Sequence, residues 1–503
     1  MASHPGSPFA TCPASPPGVS PPPKDAPLSD ELTNLSDDPP RLFKFGLEMP
    51  LVRRVVRLGV WVVLAMVTQY LVNVADNAMV GRLEGPEATA SQAALGVAMP
   101  FFWAFGGFFA AVGAGTQAIT GRRYAEQDYR GAGQVLFNAL CIGVVTGIVG
   151  SILGYIASPG GLGFLAEGGG AQEDLAIEYA QIRMVGVAGM VVTFAYKAFF
   201  DGIGRTYVHL WAAVSMNVFN VILNYLFIYG NEPLGIPKMA LAGAGYASVI
   251  STYLGLLIIA LVATKKHYRT KYVFWRLKHL DLGIMMRIVK LMIPSGAATV
   301  VLMAGFALFM RFVGVIDTEA GTGNVYGAAT KAIMDIAGVC FMPLIAFGTA
   351  TATCVSQSLG ANKPNLAARY GWEASRLGVL AMLVISGLFL AFPEPIIALV
   401  SPNDPAVPAA GAASLRIITI GLPLMAVGLV LSQALFGAGA NVFVAVAELL
   451  LHFGLFVPGA WLLGPKLGYG MEGVWVAATM YVGALGIVMG GKFLSQGWRK
   501  IKL

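Results

Sequence analysis

Charge is scarce in this 503-residue chain: Asp, Glu, Lys and Arg make up 12% of it, against 56% hydrophobic residues. A soluble chain of this length would split into two or more domains with far more charge on their surfaces. Cysteine is almost missing. Cys12, Cys141, Cys340 and Cys354 are scattered, without metal spacing or a disulfide framework, and read as isolated buried thiols. Catalytic signatures are lacking too. There are five histidines, no paired-aspartate metal motif in the apolar segments, and no Ser or Cys nucleophile signature. No Gly-rich loop followed by Lys-Ser/Thr is present, so ATP is not required. These gaps argue against an enzyme, against catalytic residues and against a cofactor.

Long apolar runs fill the chain instead. Stretches of about twenty residues recur from Val60 to Met489, the length a helix needs to cross a bilayer core. Mean hydropathy is +0.70. Backbone polar groups must pair within the lipid, and the runs are continuous rather than alternating, so helices are expected. Helices are predicted near 57–80, 88–112, 133–157, 177–200, 208–229 and 241–263, and then near 284–314, 325–349, 371–392, 411–434, 440–463 and 472–493. The fold class is therefore an all-α polytopic membrane protein of twelve transmembrane helices. The 62 glycines suit close helix approach.

The net charge of +7 does not point to nucleic acid, because the basic residues alternate by loop. Arg122, Arg123 and Arg130 form one cluster; Lys265, Lys266, Arg269, Lys271, Arg276 and Lys278 form another. Intervening loops carry Glu167, Glu173 and Asp174, Asp317 and Glu319, and Glu394 and Asp404. This positive-inside alternation predicts a multi-pass plasma (inner) membrane protein with both termini cytoplasmic. Residues 1–45, rich in Pro, Ser and Asp, read as a disordered tail.

The two sets of helices repeat each other. At a fixed offset of 235, Gly113 falls on Gly348, Thr116 on Thr351, Gly186 on Gly421 and Met190 on Met425. Ala93 and Ala94 fall on Ala328 and Ala329, and Gly202-Ile203-Gly204 overlies Gly437-Ala438-Gly439. The expected organisation is a tail (1–45), an N-terminal six-helix lobe (46–263), a basic linker (264–283) and a C-terminal six-helix lobe (284–503). Parallel repeats of this kind are typical of transporters, with the substrate path between the halves.

Several segments then become specific in combination. Asp76-Asn77-Ala78-Met79-Val80-Gly81-Arg82-Leu83 ends the first helix, and Gly113-Ala114-Gly115-Thr116-Gln117-Ala118 lies near the end of the second. Phe200-Asp201-Gly202-Ile203-Gly204-Arg205-Thr206 follows helix four, and Asn220 to Gly230 forms helix five. Together these resemble the multidrug and toxic compound extrusion (MATE) family, in its NorM-like branch, from about residue 50 to the C-terminus. The resemblance implies two six-helix lobes and export of cationic and amphiphilic compounds in exchange for H+ or Na+. The partners implied are such small molecules and membrane lipid, with the chain acting as a monomer.

The residues can be read without that name. A mid-helix Asp costs about 2.5–3.5 kcal/mol on insertion scales. Asp76 bears that cost, with Asn73 one turn before it. Asn217, Asn220 and Asn224, spaced by three and four, form one polar stripe. A carboxylate facing amide oxygens suits Na+, and protonation would neutralise it instead. The resemblance implies that Asp76, Asn220 and Asn224 are the cation-coupling positions of the N-terminal lobe, joined by the Ser248 hydroxyl.

The second half departs from the family pattern. Acids expected in helices seven and ten are replaced by Leu302 and Met425. Lys331 and Asp335, and Glu448 and His452, are four apart and could pair across a turn, the latter as a proton relay. Arg311 reads as reaching the outer interface. Phe101, Phe102, Trp103, Tyr196, Met303, Phe309, Met310 and Phe341 could contact hydrophobic cations. A lipid-linked oligosaccharide flippase is the main alternative. It should need a cationic cavity, whereas the predicted central helices carry few Arg or Lys residues, mainly Arg311 and Lys331.

Overall fold

The structure, a computed structural model, describes residues 35–40, 46–83, 86–165, 171–323, 325–401 and 405–503. Cys12, Glu167, Asp404 and most of the predicted tail lie outside the described residues. Within the expected tail, Asp37 is bound at the start of the ninth span. Its carboxylate accepts the Leu366 N–H at 2.7 Å, where an anion complements a helix N-terminus.

The apolar runs fold as expected. The first six spans are α1 (Met49–Val80), α2 (Pro86–Ala110) continued by α3 (Val112–Ala125), α4 (Tyr129–Leu165), α5 (Ala171–Val185) with α6 (Val187–Gly202), α7 (Tyr207–Tyr229) and α8 (Ala240–Thr264). After a short helix α9 (Lys266–Tyr272) come α10 (Leu282–Ala320), α11 (Val325–Gly360), α12 (Pro364–Ala391), the short α13 (Pro393–Val400), α14 (Ala406–Ala438), α15 (Asn441–Leu451) with α16 (Val457–Trp461), and α17 (Gly470–Leu494). Among the described residues, eleven helices are long and apolar enough to cross a bilayer, and the bent pair α5–α6 makes twelve. The chain is an all-α membrane protein of two pseudo-symmetric six-helix lobes.

Three departures from regular helix have local causes. The fourth span bends by 46° between α5 and α6, where the Gly186 N–H closes a tight turn onto the Arg183 carbonyl at 2.9 Å. Two π-helical turns, His452–Phe456 and Leu462–Lys466, interrupt the eleventh span around Pro458 and Pro465. Several helices also run past their apolar windows: α1 begins at Met49 rather than 57, and α11 ends at Gly360 rather than 349. An apolar window sees only the lipid-length part, whereas the extra turns are held by protein.

Those extra turns join the lobes at the end that carries the basic loops. Arg54, only 3% exposed, donates to the Gln357 side-chain oxygen at 2.6 Å and to the Tyr370 hydroxyl at 3.1 Å. Gln357 in turn donates to the Gly202 carbonyl at 2.8 Å. Arg122 crosses the other way, to the Ala438 carbonyl at 2.8 Å and the Ile501 carbonyl at 2.6 Å. Gln117 reaches the Thr353 hydroxyl and the Thr349 carbonyl. The backbones approach closely here: a Cβ on Gly360 would lie 2.4 Å from the Arg122 carbonyl oxygen.

The basic linker is docked rather than freely solvated. Asn138 donates to the His279 carbonyl and accepts the Asp281 N–H, at 2.8 and 2.9 Å. Lys271 sits 4.1 Å from the Tyr129 ring centroid. Burial, with Arg205 nearby, pushes the Lys271 ammonium below its ordinary pKa.

Candidate functional site

The N-terminal lobe encloses a cavity of about 430 Å³ among its first, second, fourth, fifth and sixth spans. That size lies in the range of small-molecule sites. Its walls are mainly apolar, with Met99, Phe102, Trp103, Met190, Phe194 and Met216 among them. Met342, from the eighth span, also lines it, so the cavity reaches the second lobe.

Asp76 lies on the wall, and the asparagine stripe backs it. Asn224 donates to the Asp76 carboxylate and, at 3.1 Å, to the Asn220 side-chain oxygen. Asn220 donates to the Ser248 hydroxyl at 3.3 Å. The spacing of three and four in α7 puts all three asparagines on the face turned toward α1 and α8, and all are buried. One turn lower, Asn217 donates to the Thr68 hydroxyl at 3.0 Å. Asn73 lines the same cavity. Thus Asp76, Asn73, Asn220, Asn224 and Ser248, separated by up to 175 positions in sequence, are brought together. Buried acceptors remain open in this cluster: among the described residues, the side-chain oxygens of Asn217 and Asn224 have no hydrogen-bond partner. A cation beside Asp76 would complete the Asn224 oxygen, because unmatched buried acceptors are costly.

The second lobe does not repeat this cluster. At the offset of 235, Asn220 and Asn224 fall on Leu455 and Gly459, and Asn217 on His452. His452 is buried, but its ring nitrogen bonds the Glu448 backbone carbonyl at 2.9 Å. The expected Glu–His contact therefore forms through the backbone, not through the carboxylate. The His452 ring packs against Tyr481, 4.4 Å between centroids. Lys331 and Asp335 pair at 3.1 Å, as their spacing suggests, with Lys331 largely exposed. Arg311 is exposed. Of the aromatic candidates, Phe102 and Trp103 line the cavity, whereas Phe309 is buried against Phe456 and Trp475.

Three basic cavity residues are not among the sequence candidates: Arg183, Lys197 and His209. Arg183 lies 4.2 Å from the Phe102 ring centroid and within electrostatic reach of Asp76. Lys197 lies 4.9 Å from that of Phe194. The signal was available: two cations inside the fourth apolar run, where charge is expensive. The expectation that the central helices are short of cations is corrected accordingly.

A carboxylate and amide cluster opening on a cavity, within a repeated twelve-span bundle, defines a membrane transporter. The MatE family model matches residues 62–226 and 294–462, once in each half. The chain belongs to the MatE family, a family of membrane transporters. It is 22% identical over 463 residues to the probable multidrug resistance protein NorM of Thermotoga maritima, covering 90% of this chain and 94% of that one. A Pseudomonas aeruginosa protein of the same name is 26% identical over 429 residues, covering 82% and 83%. Among solved structures, a Pyrococcus furiosus transporter of the MOP superfamily superposes with a TM-score of 0.79 at 22% identity, over 91% of this chain and all of that one. Its binding pocket is described as having reversed polarity. A mutant of the Vibrio cholerae MATE transporter VcmN gives 0.77 at 17% identity, over 89% and 98%.

Proposed function

We propose that this chain is a secondary active multidrug efflux transporter of the plasma membrane, with both termini cytoplasmic and no catalytic role. It acts as a monomer and exports cationic or amphiphilic molecules in antiport with H+ or Na+, by alternating access between its lobes. The observation that carries this reading is the Asp76 carboxylate on the cavity wall, tied through Asn224 and Asn220 to Ser248. A charged Asp76 favours a wet cavity, because a bare carboxylate in lipid costs about 2.5–3.5 kcal/mol. A proton neutralises it. A sodium ion would take the carboxylate together with the open amide oxygen of Asn224, a hard ligand. Either event removes the electrostatic reason for keeping that face hydrated, and so biases one lobe arrangement over the other. A hundredfold substrate gradient costs about 2.7 kcal/mol. Exchange of a monovalent cation for one H+ or Na+ moves no net charge, so the ion's chemical gradient must supply it; export of a neutral substrate would add about 2.3 kcal/mol per charge crossing 100 mV.

One observation favours a second reading. Arg183 and Lys197 give the cavity the cations that a lipid-linked oligosaccharide flippase needs. Purified protein in liposomes separates the two. Dye efflux driven by a proton gradient alone, or by a sodium gradient alone, supports antiport and identifies the ion. Lipid scrambling without either dye signal supports the flippase and refutes antiport.

A further inference from the structure

Lys197 and His209 meet at the deep end of the cavity, toward the basic-loop side. Lys197 lies near the end of α6 and His209 near the start of α7, and both line the cavity wall. The two side chains are within electrostatic reach of each other. Among the described residues, Lys197 has no ion pair and no hydrogen bond; its one polar contact is with the Phe194 ring. The His209 Nδ1 is buried and, among the described residues, has no hydrogen-bond partner. Asp201, one turn after Lys197, acts on the ammonium through space, but no ion pair joins them and Asp201 does not line the cavity. The floor thus holds an ammonium whose donors are unspent, flanked by the His209 ring. Above it the walls are apolar, with Met66, Phe194 and Met216. An unpaired cation facing an apolar cavity is expensive unless something completes it.

We propose that this floor is a subsite for an anionic group, a carboxylate on an amphiphile whose apolar body lies along the walls above. Lys197 supplies the charge, and the His209 ring forms the wall beside it. Asp76 and its asparagines stand on the opposite, outer part of the cavity. Cation coupling and recognition of the anionic group are therefore done by different residues. This subsite rests on the reading of the cavity as a cargo path.

Equilibrium binding tests it apart from transport. Dansylglycine and its carboxamide share one apolar body and differ in charge, and each is titrated by fluorescence against the full chain in uncharged nanodiscs at neutral pH. The acid should bind at least tenfold more tightly than the amide. Lys197→Met should abolish that preference while amide affinity stays within twofold, and Lys197→Arg should restore it. Equal affinities for acid and amide in the unaltered protein would overturn the subsite, and that comparison needs no variant to fold. An acid preference that survives in Lys197→Met would overturn it as well. A preference for the acid together with no gradient-driven efflux would leave the subsite standing and refute the transport reading alone.

Discussion

The two lobes agree where they meet and differ where they enclose a cavity. At the basic-loop end the repeat holds in detail. Arg122 and Gln357 occupy equivalent positions at the offset of 235, as do Gly202 and Gly437. Each of the two donors crosses to the other lobe: Arg122 to the Ala438 carbonyl, Gln357 to the Gly202 carbonyl, both at 2.8 Å. The adjoining turns match as well, with left-handed backbone at Gln127 and at Asn362, also 235 apart. Toward the other end the likeness is lost. The N-terminal lobe has a carboxylate backed by amides, and the C-terminal lobe has Leu455 and Gly459 at the positions of Asn220 and Asn224. Closing one end of a two-lobed transporter is a symmetric task, and matched groups can do it reciprocally. Binding a coupling cation needs only one lobe.

That contrast can be broken at either end. The larger effect is expected in the cavity. Asn224→Ala removes the donor to Asp76 and the bond to Asn220 together. Hydrogen bonds to charged groups contribute about 1.5–3 kcal/mol, so gradient-driven efflux in liposomes should fall at least tenfold at equal expression. A smaller effect is expected at the closed end. Arg122→Ala and Gln357→Ala each remove cross-lobe bonds, at about 1 kcal/mol apiece, or roughly a fivefold shift in the population of closed molecules. Spin labels at Glu126 and Ala361 should show a longer-distance population that grows with each substitution. An unchanged distance distribution in the double variant would remove those bonds from the closure.

The helices and their repeat were legible because lipid demands long apolar runs, and the asparagine stripe because a spacing of three and four admits one helical face. Helix ends were less legible. The turns carrying Arg54 and Gln357 leave the apolar window and are stabilised by the other lobe, a long-range effect no local pattern reports. The Glu448–His452 spacing brings the two residues one turn apart, but the side chains do not pair: His452 opens a π-helical turn and spends its ring nitrogen on the Glu448 carbonyl. Arg183 and Lys197 show in the sequence as two cations inside an apolar run, but nothing local says which face of a broken span looks into a cavity. Only the fold of α5 and α6 against α7 decides it.

The most direct measurement compares Asp76→Asn with Glu448→Gln in the same proteoliposome efflux assay, under whichever single gradient drives the unaltered protein. Coupling through the N-terminal lobe alone predicts that Asp76→Asn inserts and folds but loses gradient-driven efflux, while Glu448→Gln stays within about twofold of the unaltered rate. Full efflux by Asp76→Asn at normal expression, or loss of coupling in Glu448→Gln with Asp76 intact, would contradict it.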